Sequence, residues 1–350
     1  MAPAPAAMAE IAAPYVGMIM AECAQVGLII LSKQALSSGM SSFVFVTYSN
    51  ALAALVLLPT SLFLHRNTQR PPISLWLLGG FFLLGLLGSL AQIFGYVGIN
   101  YSSPTLGTAM LNLVPGFTFL LAIVFRMEKL DWKSFIFVAK SAGTIISVAG
   151  ALVVTLYQGP PLLRASSAHS HHLNHLKQNS KWVLGGLFLA IDCVMASGWL
   201  ILQAPILRKY PAELIVVFFY CFFVAIQCGI VTLFLERDTS AWSLKPKIRL
   251  ISILYSAVFG SAFQVGVSSW CLQRKGPVFV SMFKPVGVAI AVAFGVIFLD
   301  DTFYLGSLIG ICTIVVGFYS VMWGKAKEEK TEGSEPSGTP TKTSLMEMNA

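Results

Sequence analysis

Charged side chains make up only 11% of this 350-residue sequence, where an ordinary water-soluble domain carries about a quarter. That shortfall excludes a soluble globular fold. Histidine is almost missing from the apolar stretches. His65 sits at the edge of one, and the other four, His169, His171, His172 and His175, crowd into a single polar loop. No HExxH or GxSxG pattern occurs, so a membrane-embedded enzyme would lack its catalytic groups, and no cofactor is expected. The six cysteines all fall inside apolar runs, with neither a disulfide framework nor zinc spacing. No basic segment precedes the first apolar run in MAPAPAAMAEIAA, which argues against a cleaved signal peptide and leaves the first run in the mature protein.

Apolar residues, by contrast, make up 56% of the chain, and the mean hydropathy is +0.76. Ten runs of about twenty residues cover 14–31, 42–64, 76–99, 105–125, 135–156, 182–203, 213–235, 250–272, 277–299 and 303–323. A helix rising 1.5 Å per residue needs about that length to cross some 30 Å of hydrocarbon. The sequence therefore predicts an all-α membrane protein of ten transmembrane helices, with membrane lipid as its surroundings. The net charge of +8 would suggest nucleic acid in a soluble chain; here the basic residues lie mainly between spans and carry topology instead. With both termini in the cytosol, thirteen Lys and Arg side chains face the cytosol and eight face away, in line with the positive-inside rule.

The stretch FGSAFQVGVSSWCLQRKGPVFVSMFKP, residues 259–285, repeats an earlier one. At an offset of 172, Gly260, Ser261 and Gln264 fall on Gly88, Ser89 and Gln92. Pro277 meets Pro104 at 173, Pro285 meets Pro115 at 170, and Glu22-Cys23 meets Asp192-Cys193 at 170. Gly310 and Gly317 fall on Gly143 and Gly150 at 167. Two units follow: residues 14–156 and 182–324, joined by a non-cytosolic loop at 157–181 and followed by a polar tail at 325–350 expected to be disordered. Five helices per unit is an odd number, so the second unit enters the membrane from the opposite side. Inverted repeats of this kind build transporters whose central site is exposed to each face in turn.

An ionisable group at mid-membrane costs about 2.5–3.5 kcal/mol on insertion scales, so it should be paired or wet. Glu22, Asp192 and Lys284 lie about 12–15 Å into their helices by the helical rise. Gln25 follows Glu22 on the same face, and Asn50 sits in helix two. Ser89, Gln92 and Tyr96 form one polar stripe in helix three. Asn112 shares a face with Pro115; this proline and Pro285 are expected helix breaks, each freeing a carbonyl. Trp199, Gln264 and Ser268 complete a candidate solute pathway. In that reading the acids hold an ammonium, Lys284 holds a carboxylate and the aromatic residues take an apolar side chain. A structural ion pair between Lys284 and one acid, with Gln92 and Gln264 as interhelical hydrogen-bond glue, is the competing reading. Lys140, nearer the cytosolic end of helix five, is expected to snorkel. The small-residue ladders Gly143–Gly150 and Gly310–Gly317 allow close helix packing, within the chain or in a homo-oligomer. The histidine cluster reads as an incidental feature of a polar loop, and no metal is assigned to it.

SKQAL, NLVPGFTFLLAIVFRMEKL, TLYQGP, GPVFVSMFKP, FLDDTFYLGSLIG and FYSVMWGKAKE together resemble the plant nodulin-21-like, walls-are-thin-related family, also called UMAMIT. That family is built from paired EamA-type units of the drug/metabolite transporter superfamily. The resemblance implies a bidirectional facilitator of amino acids or related small solutes, or of auxin in some members. It further implies a place in the plasma membrane, or secondarily the tonoplast. A membrane receptor or scaffold that moves no solute is the alternative from another class.

Overall fold

The computed structural model describes residues 5–64, 74–101, 110–127, 134–157, 160–163, 179–236, 239–298 and 303–334. The four loop histidines, the Glu128-Lys129-Leu130 part of the RMEKL motif and the tail from 335 onward lie outside them. The first unit comprises α1 (Pro5–Ser37), α2 (Ser42–Leu64), α3 (Leu75–Tyr101), α4 (Val114–Val124) and α5 (Phe135–Leu156). The second opens with α6 (Asn179–Lys209) and α7 (Glu213–Leu235). Its third span is composite: α8 (Lys247–Tyr255), a π-helical segment (Ser256–Gln264) and α9 (Val265–Lys275). A broken fourth span, α10 (Pro277–Ser281) with α11 (Phe283–Phe298), leads to α12 (Leu305–Ser334). Nine described helical spans are long and apolar enough to cross a membrane, and α4 is a shorter apolar helix. Together they make the ten expected spans, in an integral membrane protein.

Two features depart from a purely helical, regular bundle. β1 (Pro161–Leu163) pairs antiparallel with β2 (Phe303–Tyr304), and Leu305 N donates to Pro160 O at 3.0 Å. This ribbon holds the α5–α6 connection beside the start of α12, so both lie at one end of the bundle, as ten crossings require. The second departure is the π segment, which sequence periodicity does not announce, because it changes the hydrogen-bond step without changing residue type.

The helix is interrupted close to both prolines. Asn112 and Leu113 form a turn after the helical residues 110–111, and α4 restarts with Pro115 in its first turn. At the offset of 170, Met282 interrupts the ninth span just before Phe283, Lys284 and Pro285. The two units are thus broken at equivalent places. At the first break, α6 packs on the backbone: the Cys193 thiol donates to Met110 O at 3.0 Å, which also accepts from Leu113 N at 2.9 Å, and the Ser197 hydroxyl lies 3.2 Å from Val114 O. A freed carbonyl in hydrocarbon needs such a donor. Helix ends use glycine where the backbone turns left-handed: Gly39 (φ 89°) closes α1, and Gly276 (φ 83°) stands between α9 and Pro277 at the first turn of α10.

The glycine ladders of α5 and α12 face each other within the chain. A methyl group on Gly143 would come within 2.7 Å of Gly317 O, and one on Gly150 within 2.7 Å of Ile314 N and 2.9 Å of Gly310 O. Small residues there let the backbones touch, which replaces the hydrophobic driving force that lipid removes. On this face the ladders are consumed by intrachain packing.

Lys140 does not snorkel. Its side chain is buried, and Nζ reaches both carboxylate oxygens of Glu328 at 3.1 Å. The reason is that α12 does not stop at Trp323 but runs on to Ser334, which brings an acid over the ammonium. Lys325 pairs with the same carboxylate at 3.5 Å, and Lys327 lies over the rings of Trp323 and Phe135.

Two outcomes follow. Gly150→Val should lower the melting temperature in detergent by many degrees, because its side chain meets backbone. Gly79→Val, with nothing within 4 Å, should leave it nearly unchanged. Lys140→Ala should destabilise by about 1–3 kcal/mol, and in a double-mutant cycle with Glu328→Ala the two losses should be clearly less than additive.

Candidate functional site

The acid that opens the first unit meets the lysine of the ninth span. Glu22 on α1 is buried, and its Oε1 stands 3.0 Å from Nζ of Lys284 on α11, which is half-buried. Apart from this ion pair, Oε1 has no further partner among the described residues. The other oxygen rests on Gly287, where a methyl group would approach it to 2.6 Å. Any larger residue at 287 would therefore push Glu22 aside.

Asp192 on α6 is also buried, and its carboxylate lies against Gly95 of α3, where a methyl group would come within 2.9 Å. Lys284 exerts a Coulombic influence on it, and Asp192 in turn acts on Tyr96. Among the described residues no hydrogen bond or ion pair within 4 Å satisfies this second acid. The one ammonium thus pairs with Glu22 alone, and Asp192, from the opposite unit, stands near it without an ion pair among the described residues. The buried cluster has a formal charge of −1 when all three groups are ionised, and its most exposed member is the cation, 28% open against 4% for Glu22.

A second group lies along the same two helices, α3 and α6. Asn50 Nδ2 donates to Gln92 Oε1 at 3.1 Å, and Gln92 Nε2 donates to the Tyr220 hydroxyl at 3.1 Å. Trp199, two turns along α6 from Asp192, packs on Tyr220 with ring centroids 5.4 Å apart. This chain ties α2, α3 and α7 together, so Gln92 acts as interhelical glue. It still leaves two buried polar atoms unpartnered, Asn50 Oδ1 and Trp199 Nε1. In hydrocarbon each is a standing cost of about 1–3 kcal/mol. Deeper on α6, Gln203 donates to Ser269 at 2.7 Å.

The duplication does not make the two glutamines equivalent. Gln264 ends the π segment, half-buried, and no described residue hydrogen-bonds to it. The tyrosine pair diverges likewise: Tyr220 accepts from Gln92, whereas its counterpart Tyr48 donates to Trp242 O at 3.3 Å. Gln25 and Ser268 also lack hydrogen bonds to either group among the described residues. Asn112 is buried at the α4 break, and Pro115 and Pro285 flank the two breaks. Tyr220 escaped the sequence reading, although its offset of 172 from Tyr48 was a signal that could have found it.

A cavity of about 530 Å³ opens beside the charged cluster, not on it. Cys23, Val26, Gly27, Ile30 and Leu31 of α1, Tyr255, and Ile290 and Phe294 of α11 line it. Its walls are apolar, and none of the charged residues contributes.

Comparison with known proteins agrees with this architecture. The EamA-like transporter family model matches residues 15–156 and 183–323, one copy per unit. A WAT1-related protein of Arabidopsis thaliana is 50% identical over 90% of this chain and 86% of its own length. Two others from the same plant are 44% and 45% identical, over 93% and 91% of this chain and 90% of each of theirs. A protein of known crystal structure, only 14% identical, shares the fold with a TM-score of 0.65 over 91% of this chain and 99% of its own. Inverted five-helix units, equivalent helix breaks and these matches have one reading: the chain belongs to the WAT1-related group of the EamA-like membrane transporter family.

Proposed function

We propose that this transporter carries amino acids or closely related zwitterions, through alternating access of a site formed by Glu22, Lys284 and Asp192. The observation that carries the proposal is the two-to-one ratio of buried carboxylates to ammonium across the interface of the two units. A zwitterion fits it. Its carboxylate takes the open side of the Lys284 ammonium, and its ammonium takes the carboxylates, so that each charge gains an opposite neighbour while the net charge of the cluster stays at −1. An anion would add to an already negative cluster.

The aromatic pair Trp199 and Tyr220 supports a second reading, indole-acetic acid. Its ring would stack there while its carboxylate goes to Lys284. The charge balance favours amino acids. Bidirectional, uncoupled flux, both termini in the cytosol and residence in the plasma membrane complete the proposal. Tonoplast residence ranks second.

Uptake of labelled amino acids into proteoliposomes tests it. Flux should exceed that of empty vesicles, and Lys284→Ala should reduce it at least ~tenfold, the loss expected when about 1.4 kcal/mol of binding is removed. Lys284→Ala vesicles that transport at the parent rate would refute the carboxylate role. In competition, unlabelled glutamine should suppress uptake at concentrations where indole-acetic acid does not; the reverse order would select the auxin reading.

A further inference from the structure

At the end of the bundle remote from both chain termini, one arginine joins the two units. Arg249, in the first turn of α8, is buried, 6% exposed. Its Nε donates to Ser38 Oγ at 2.8 Å and its Nη2 to Ser38 O, in the turn that follows α1. Its Nη1 donates to Ser243 O at 2.9 Å and Ser240 O at 3.2 Å, in the α7–α8 connection. Among the described residues all its partners are neutral, and no carboxylate lies within ion-pair distance. Three of them are backbone carbonyls, and one of these terminates α1, where the helix dipole is negative.

Around this contact the α1–α2 hairpin is plugged against the second unit. Tyr48 packs edge-on against Trp242 at 5.9 Å and donates to its carbonyl. Ser252 donates to Leu31 O at 2.8 Å. Beneath the plug, Phe45 meets Tyr96 at 5.9 Å, and the neighbouring Gly95 is the residue against which the Asp192 carboxylate lies. The chain of contacts therefore runs from Arg249 to the charged cluster. At the opposite end the equivalent α6–α7 turn is held differently. Lys209 lies over Trp76 at 4.1 Å, and Tyr210 packs on Phe81.

We propose that Arg249 is the bolt of a gate that closes this end of the solute path, and that its release opens the α1–α2 hairpin from the α7–α8 connection. The inference rests on the transport reading. The chemistry suits a bolt that must be drawn. A dry ion pair, once opened, leaves a buried counter-charge behind. A guanidinium held by carbonyls and a hydroxyl exchanges them for water and strands no opposite charge. Held shut it is specific, because one planar fork must reach acceptors on both units at once.

The test is chemical labelling in nanodiscs, where both faces are open to a membrane-impermeant charged maleimide, with modification at each site followed by mass spectrometry. Ser32→Cys, a buried position on α1 beneath the plug, reports this end; Ala212→Cys, buried in the α6–α7 turn, reports the other. Adding Arg249→Ala should speed labelling at 32 at least ~tenfold, as a shift of the open population of that order would, and leave 212 unchanged. Arg249→Lys, which keeps the charge but loses the fork, should fall between. No change at 32 overturns the gate, and so does an equal rise at both sites, which would mean a loosened fold. The readout needs no solute, so failure of the amino acid assignment and failure of the gate remain distinguishable.

Discussion

An ammonium group placed midway through hydrocarbon has to meet negative charge or water, and much of this structure is arranged around that requirement. Lys284 sits where the ninth span breaks, and the two units each send one acid toward it, Glu22 from α1 and Asp192 from α6. Two carboxylates against one ammonium leave the cluster short of positive charge. A zwitterion leaves that net charge unchanged but gives the second acid an ammonium partner, whereas an anion would deepen the deficit. The second buried lysine shows the contrast. Lys140 is matched by the single acid Glu328, both of whose oxygens it contacts, and this pair reads as structure.

Backbone groups obey the same rule as charges. A helix broken in lipid must find donors for its carbonyls, and Cys193, one residue along from Asp192, supplies one to Met110 O at the first break. The same helix therefore holds both the broken backbone and the second acid. Glycine has the complementary task of letting elements touch. Gly287 and Gly95 admit the two carboxylates, while Gly143, Gly150 and their partners on α12 allow the backbones to meet. The duplication sets up two equivalent halves, and later divergence makes them unequal. Gln92 is tied to Asn50 and Tyr220, whereas Gln264, at the end of a π segment, is not. The two ends are accordingly held differently, through Arg249 at one and through Lys209 on Trp76 and Tyr210 on Phe81 at the other.

The ten spans, the inverted units and the helix breaks at Pro115 and Pro285 were legible in the sequence, because hydropathy, parity and proline chemistry are local properties. Glu22, Asp192 and Lys284 stood out in the sequence as ionisable groups inside apolar runs, and the structure pairs the first with the third. What escaped depended on continuation or on partners far along the chain. α12 runs past Trp323 because Lys, Ala and Glu favour a helix even where the apolar pattern ends, and that hid the partner of Lys140. Arg249 counted only as one positive charge in a loop, since its acceptors, Ser38, Ser240 and Ser243, are backbone and hydroxyl groups that no charge pattern marks. The π segment and the split roles of Gln92 and Gln264 follow from packing that composition does not encode.

The central claim is that a solute enters by exchanging partners with the Glu22–Lys284 pair. An experimental structure with an amino acid bound tests it most directly. The account predicts the solute carboxylate within hydrogen-bond distance of Lys284 Nζ, the Glu22 side chain turned away from its present contact, and the solute ammonium between the two acids. A bound solute lodged elsewhere, with Glu22 and Lys284 still 3.0 Å apart, would contradict it.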